Sequence, residues 1–225
     1  MRREAESETP YRPRPFDWDA SESFQVPHAA SGDSKYRPSV PPSASKPASP
    51  RVRLPGAPST QSHRKKTAMP DAIDVARYLV HLAASEPEPD YLSHMRLQKL
   101  LYYTQGWSLA LRDRPMFSER IEAWAHGPVV RDVYPHFADF GDTPILPESV
   151  ALPQSLSAED RSFIDSVWEA YKVYSTISLR RMTHKEAPWR NARGTCGPAE
   201  RCTTEITQDA MRRFFKQASK RHGEA

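Results

Sequence analysis

The chain has 225 residues and a formal net charge of +4, but its charge is divided unevenly along its length. Residues 1–68 hold 11 of the 22 prolines and carry 12 Lys and Arg against 7 Asp and Glu, whereas residues 69–225 carry 20 against 21. The basic balance therefore belongs to the leader. That argues against nucleic-acid binding by the folded part, because such modules gather cations on one face to neutralise phosphates.

The leader is rich in Pro, Ser and Arg and has no sustained period of 2 or 3.6. A segment of this kind buries too little apolar area to offset the entropy of ordering it, so residues 1–68 read as disordered. PSVPPSASKPASP is at most a stiff, extended linker. Met69-Pro70-Asp71 has the look of a natural start, which makes the leader a candidate start-site artefact. Residues 69–221 then form the folded domain.

Asp71 is placed to cap a first helix running to about Ala84, with Ile73, Ala76, Leu79, Val80 and Ala83 on its apolar side. Pro87 and Pro89 follow it. Ser93 is the expected cap of a second helix to about Arg112, with Leu97, Leu100, Leu101, Thr104, Trp107 and Leu111 at three- and four-residue spacings. Asp113-Arg114-Pro115 ends that helix. Ile121 to Ala125 alternates apolar and polar, so Phe117 to Ala125 reads as a hairpin or short ribbon. Gly127-Pro128 is expected to start a third helix carrying Val129, Val130, Val133, Tyr134 and Phe137, ended or kinked at Pro135. Gly141 to Pro153 is a proline-rich loop.

Ser157 and Asp160 form an S-x-x-D cap before Phe163, Ile164, Val167, Trp168, Tyr171 and Tyr174. Ser175 or Thr176 caps a helix with Ile177, Leu179 and Met182, and Pro188-Trp189 interrupts the pattern after it. Thr207 opens a final helix expected to fray from Lys216. The fold class is mostly α: a compact helical domain of about six helices with one small β-ribbon, preceded by a disordered N-terminal leader.

LQKLLYYTQGWSLA, followed by PMFSERIEAWAHGPVV and then VY, resembles the Panacea domain, the SocA-like antitoxin or GepA family. THKEAPWRNAR and EITQDAMRRFF are similar to the second half of the same pattern, so the resemblance extends over residues 70–218. It singles out Leu97, Gln98, Lys99, Leu100, Tyr102, Trp124, Gly127, Pro128, Val129, His184 and Trp189 as motif positions, structural or partner-binding. It also implies an antitoxin that binds and neutralises a cognate protein toxin encoded nearby. Part of the family also hands the toxin to a cellular protease as an adaptor. A phage or prophage accessory module with another protein partner fits the same sequence.

An enzymatic reading would rest on His126 or His184 as general base, with Glu122, Asp132 or Glu186 orienting it, as in a His-dependent hydrolase. No G-x-S-x-G, HExxH or glycine-rich phosphate loop accompanies them, so no catalytic residue is expected. Gln98 and Lys99 have two readings: a solvated helix face with Lys99 lying along its apolar neighbours, or the polar edge of a partner groove. Trp124 and Trp189 are expected in the core.

Cys196 and Cys202 are too few for a disulfide framework, and no CxxC or nearby His pair completes a zinc site. They read as free thiols. No apolar run approaches the roughly 18 residues needed to span a bilayer, and nothing apolar follows Arg2-Arg3 to make a signal peptide. The expectation is a cytoplasmic protein without metal or cofactor.

Overall fold

One helix forms the axis of the domain in the computed structural model, which describes residues 69–223. This is α2 (His94–Leu111), opened by Ser93, whose Oγ accepts the Arg96 amide at 3.3 Å. Every residue from Arg96 to Leu109 is buried, so α2 is not the amphipathic surface helix its spacing suggests. It packs against α1 (Ala72–Ala84), α4 (Ala158–Tyr171), α5 (Thr176–Lys185), α7 (Gln208–Gly223) and the strand Gly127–Val130. Gly106 marks the closest approach: a Cβ there would collide with the Phe215 ring of α7.

The local caps follow the sequence. Ser157 accepts the Asp160 amide at 3.0 Å to open α4, and Ser175 accepts the Ser178 amide at 3.2 Å to open α5. Asp71 occupies the cap position of α1 without a side-chain bond; the Ala72 amide donates instead to Glu119 Oε1 at 2.7 Å. Buried Asp160 takes hydrogen bonds from both Arg112 and Arg114 at 2.8 Å, which ties the end of α2 to the start of α4.

Gly127-Pro128 does not start a helix. It begins strand β2 (Gly127–Val130), antiparallel to β1 (Ile121–Trp124) across the two-residue turn Ala125-His126. Gly127 has φ +102, a value no helix start adopts. The helix expected there shrinks to α3 (Tyr134–Phe137), a single turn with Pro135 at its head, followed by a 3-10 turn over Ala138–Phe140. A second 3-10 turn spans Pro147–Ser149.

Pro188 sits in the first turn of α6 (Ala187–Arg193), where its missing amide costs nothing. The last helix, α7, does not fray at Lys216 but continues to Gly223. Ile177, expected on the apolar side of α5, is exposed. The described residues thus hold seven helices and one small two-stranded ribbon. The disorder and start-site expectations for residues 1–68 lie outside the described residues. Among the described residues no helix is long and apolar enough to cross a membrane.

Candidate functional site

The polar pair on α2 and the hairpin explain one another. A two-stranded ribbon leaves the outer edge of each strand unpaired, which must be covered when buried. Along β2 that covering comes from side chains. The Val130 amide donates to Gln98 Oε1 at 2.8 Å, and Lys99 Nζ donates to the Pro128 carbonyl at 2.9 Å.

Along β1 it comes from residues 204–206. The Ala123 amide donates to the Thr204 carbonyl at 2.9 Å, and the Ile206 amide to the Ile121 carbonyl at 2.8 Å. Pro128 lies opposite Ala123, and the Ala123 amide points away from it toward Thr204, so the pair exchanges no ladder bond and the missing proline amide is harmless.

Gln98 and Lys99 are therefore not a solvated face: they are 2 % and 1 % exposed. Burial, with the charge of Arg180 second, pulls the Lys99 amine down to about 7. Leu97, Leu100 and Tyr102 are wholly buried around the pair. Gly127 is the position that admits Lys99, because a Cβ there would lie 2.7 Å from Lys99 Cε and 3.0 Å from Thr183 Oγ1.

The remaining motif positions close the other side. His184 stacks on Trp189 at 4.0 Å with the rings 8° apart, and Trp189 Nε1 donates to the Trp124 carbonyl at 3.0 Å. Both tryptophans are half-buried, not core as expected, because the turn they flank stands at the surface. Trp189→Phe keeps the stack but loses the bond to Trp124. It should lower stability by about 1 kcal/mol in chemical denaturation, while Trp189→Ala should cost about 3 kcal/mol.

Two more side chains complete the arrangement, one with a role other than the sequence suggested and one that the sequence did not single out. Glu186 does not orient a histidine: it accepts the hydroxyls of Tyr102 at 2.8 Å and Tyr103 at 3.0 Å inside the domain. Burial pushes its carboxyl up to about 7 against the pull of those two bonds. Arg193, buried beneath Trp189, donates to the carbonyls of Ala123 at 3.2 Å and Glu200 at 3.1 Å, and to that of Gly197. No local pattern marks Arg193, since its acceptors are set by tertiary folding.

A cleft of about 350 Å³ opens beside this network. Its floor is His94, Gln98 and Lys99; its walls are the hairpin turn, Tyr134 with the turn after it, and residues 199–202. Val129 lines it too. Burial, then the charge of Lys99, pulls His94 down to about 4. The Trp124 and Tyr134 rings lie 4.7 Å apart at the mouth, beside exposed His126 and Arg201.

The catalytic reading finds little support here. Glu122 accepts Trp124 Nε1 at 2.7 Å and pairs with Arg131 at 3.7 Å, and Asp132 is exposed. His184 Nε2 is buried without a hydrogen-bond partner. Burial first, then the charges of Arg180, Lys99, His126 and Arg193, hold its imidazole down to about 4. Among the described residues no group of three or more His, Cys, Asp or Glu is placed to hold a metal ion.

Residues 97–190 match the family described as Antitoxin SocA-like, Panacea domain. A segment of 80 residues is 38 % identical to Antitoxin SocA from Caulobacter vibrioides (strain NA1000 / CB15N), covering 36 % of this chain and 42 % of that protein. The chain thus spans less than half the length of the curated relative it matches. No solved structure gives a significant match. The match begins at the first residue of the α2 polar motif and ends just after Trp189, the span over which the hairpin is docked, and over it the chain is similar to the Panacea domain of SocA-like antitoxins.

Proposed function

We propose that the protein is an antitoxin: it binds and neutralises a cognate protein toxin encoded nearby, in the cytoplasm and without covalent chemistry. Residues 69–221 are the working unit. The cleft beside the hairpin is where the toxin is gripped. The carrying observation is the mouth of that cleft, where half-buried Trp124 and Tyr134 pack together next to exposed Arg201. Aromatic rings and arginine around a concave site are the composition of interface hot spots. The internal polar motif residues are meanwhile committed to holding the hairpin, which suits a binding surface better than an active site. Release of the bound toxin to a cellular protease is a further step of the same mechanism, with the domain as adaptor.

Co-expression with the adjacent open reading frame tests the reading. That neighbour alone should arrest growth, and this chain should relieve the arrest. A harmless neighbour sinks the antitoxin reading and leaves a protein-binding module of another kind. Within a working pair, Trp124→Ala and Arg201→Glu should each weaken toxin binding by about 30-fold, corresponding to roughly 2 kcal/mol for a hot-spot side chain. Arg201→Glu should do so with the melting temperature unchanged. Wild-type affinity in both variants would move the grip to another face.

A further inference from the structure

Lys99 is a buried base with no acid to balance it. One of its three N–H groups is used, by the Pro128 carbonyl at 2.9 Å, and no carboxylate of the described residues pairs with it. The titratable groups that bear on it are Arg180 and His184 of α5 and His94 of its own helix, all of them bases. The facing strand, Gly127–Val130, contributes none. A charge enclosed without a partner is costly, so such a group sheds its proton or finds an anion.

Lys99 is also on the floor of the cleft. The side chains beside it there offer donors. Gln98 Oε1 is taken by the Val130 amide, which turns Nε2 toward His94 Nε2 at 3.3 Å. An amide nitrogen only donates, so His94 accepts at Nε2, and Gln98 keeps one N–H while Lys99 keeps two. The carboxylates of the lining, Asp142 and Glu200, are exposed on the walls, and Glu200 is held by the Gly197 amide at 2.7 Å. Trp124, Val129, Tyr134 and Ala138 make the rest of the walls largely apolar. A volume of about 350 Å³ is small for a ligand pocket and suits one inserted side chain with its flanks.

We infer that the cleft receives an acidic side chain of the bound toxin, an Asp or Glu whose carboxylate reaches the floor and pairs with the Lys99 ammonium. The choice of the toxin as donor of that carboxylate rests on the antitoxin reading; the carboxylate itself rests on the uncompensated floor. The Lys99 amine, held down at about 7 in the free domain, takes up a proton as the carboxylate arrives. Nothing covalent changes. The spare N–H of Gln98 supplies a second donor to the same group, and the residues flanking the acid lie against Trp124 and Val129.

The test uses the full chain and two peptides, acetyl-Leu-Glu-Leu-amide and acetyl-Leu-Gln-Leu-amide, with binding followed by the NMR signal of the Trp124 indole. The glutamyl peptide should bind about tenfold more tightly, the margin of a charge-assisted pair over a neutral one. In calorimetry at pH 8 its binding should take up a proton, since Lys99 is mostly neutral in the free domain and charged in the complex. Lys99→Met should erase the difference between the peptides; where that variant misfolds, the wild-type comparison still decides. Equal affinities, no binding of either peptide at millimolar concentration, or binding without proton uptake each overturn the inference. N-acetylglutamate binding as tightly as the peptide would make this a metabolite site and overturn it too. These arms contain no toxin, so they are read separately from whether the neighbouring gene arrests growth. Within a working pair, one Asp→Asn or Glu→Gln change in the toxin should weaken binding about tenfold to wild type and leave binding to Lys99→Met unchanged. A toxin with no such carboxylate overturns the assignment.

Discussion

Gly127→Ala should destabilise the domain by about 3–5 kcal/mol, the largest effect of any single methyl group in the hairpin. Two independent costs add. A backbone at φ +102 is one that L side chains rarely adopt, a strain of roughly 1–3 kcal/mol. The new Cβ would also lie 2.7 Å from Lys99 Cε, 3.0 Å from Lys99 Nζ and 3.0 Å from Thr183 Oγ1, an overpacking cost of roughly 1–3 kcal/mol. The two can be separated. Lys99→Ala removes two of the three atoms that Cβ would strike, so the Gly127→Ala penalty measured in that background should shrink to the backbone part and the contact with Thr183 Oγ1, a non-additivity of about 1–2 kcal/mol. Chemical denaturation of the four proteins measures it. A fully additive cycle would show that Lys99 does not occupy the space in front of Gly127.

Lys99 should make the protein more stable as pH rises above neutral. Its amine titrates at about 7 in the folded domain, against an ordinary value of 10.5. Between those two values the unfolded chain binds a proton that the folded chain does not, so stability climbs across that window and is lost again as pH falls toward 7. The rise attributable to this one group is on the order of a few kcal/mol. Lys99→Met fills similar space with no titrating group and should remove the rise, while Lys99→Ala should also remove it and cost about 2–5 kcal/mol at the top of that window through the cavity it leaves. The comparison with Lys99→Met matters because Tyr78, whose hydroxyl is pushed up by burial and by its bond to Asp165, acts in the opposite direction at high pH. A Lys99→Met profile that still rises like wild type would assign the effect to another group.

The helices were legible wherever their determinants are local. Ser93, Ser157 and Ser175 cap the helices they precede because the amides they accept lie three residues away in the chain. The hairpin's second strand was misread for the complementary reason. Gly-Pro is compatible with a helix start, and what makes it a strand is the pair of edge bonds from Gln98 and Lys99, 32 and 29 residues away. The same separation hid the burial of those two side chains, since a Gln-Lys pair on a helix reads as solvated until its distant partners are known. The site was legible as a set of motif residues but not as a cleft. Its wall at residues 199–202 and the clamp from Arg193 follow from the path of the chain after α6, which carries no periodic signal.

The encased position of α2 has a consequence for how such a protein changes over time. A rod enclosed from Arg96 to Leu109 meets a guest molecule at most where it floors the cleft, and almost any altered side chain along it disturbs several neighbours at once. Novelty in what the domain recognises has to arise in the shell: the hairpin tip, the single-turn helix and the loop behind Arg193. Those parts can be rewritten while the mast stays as it is.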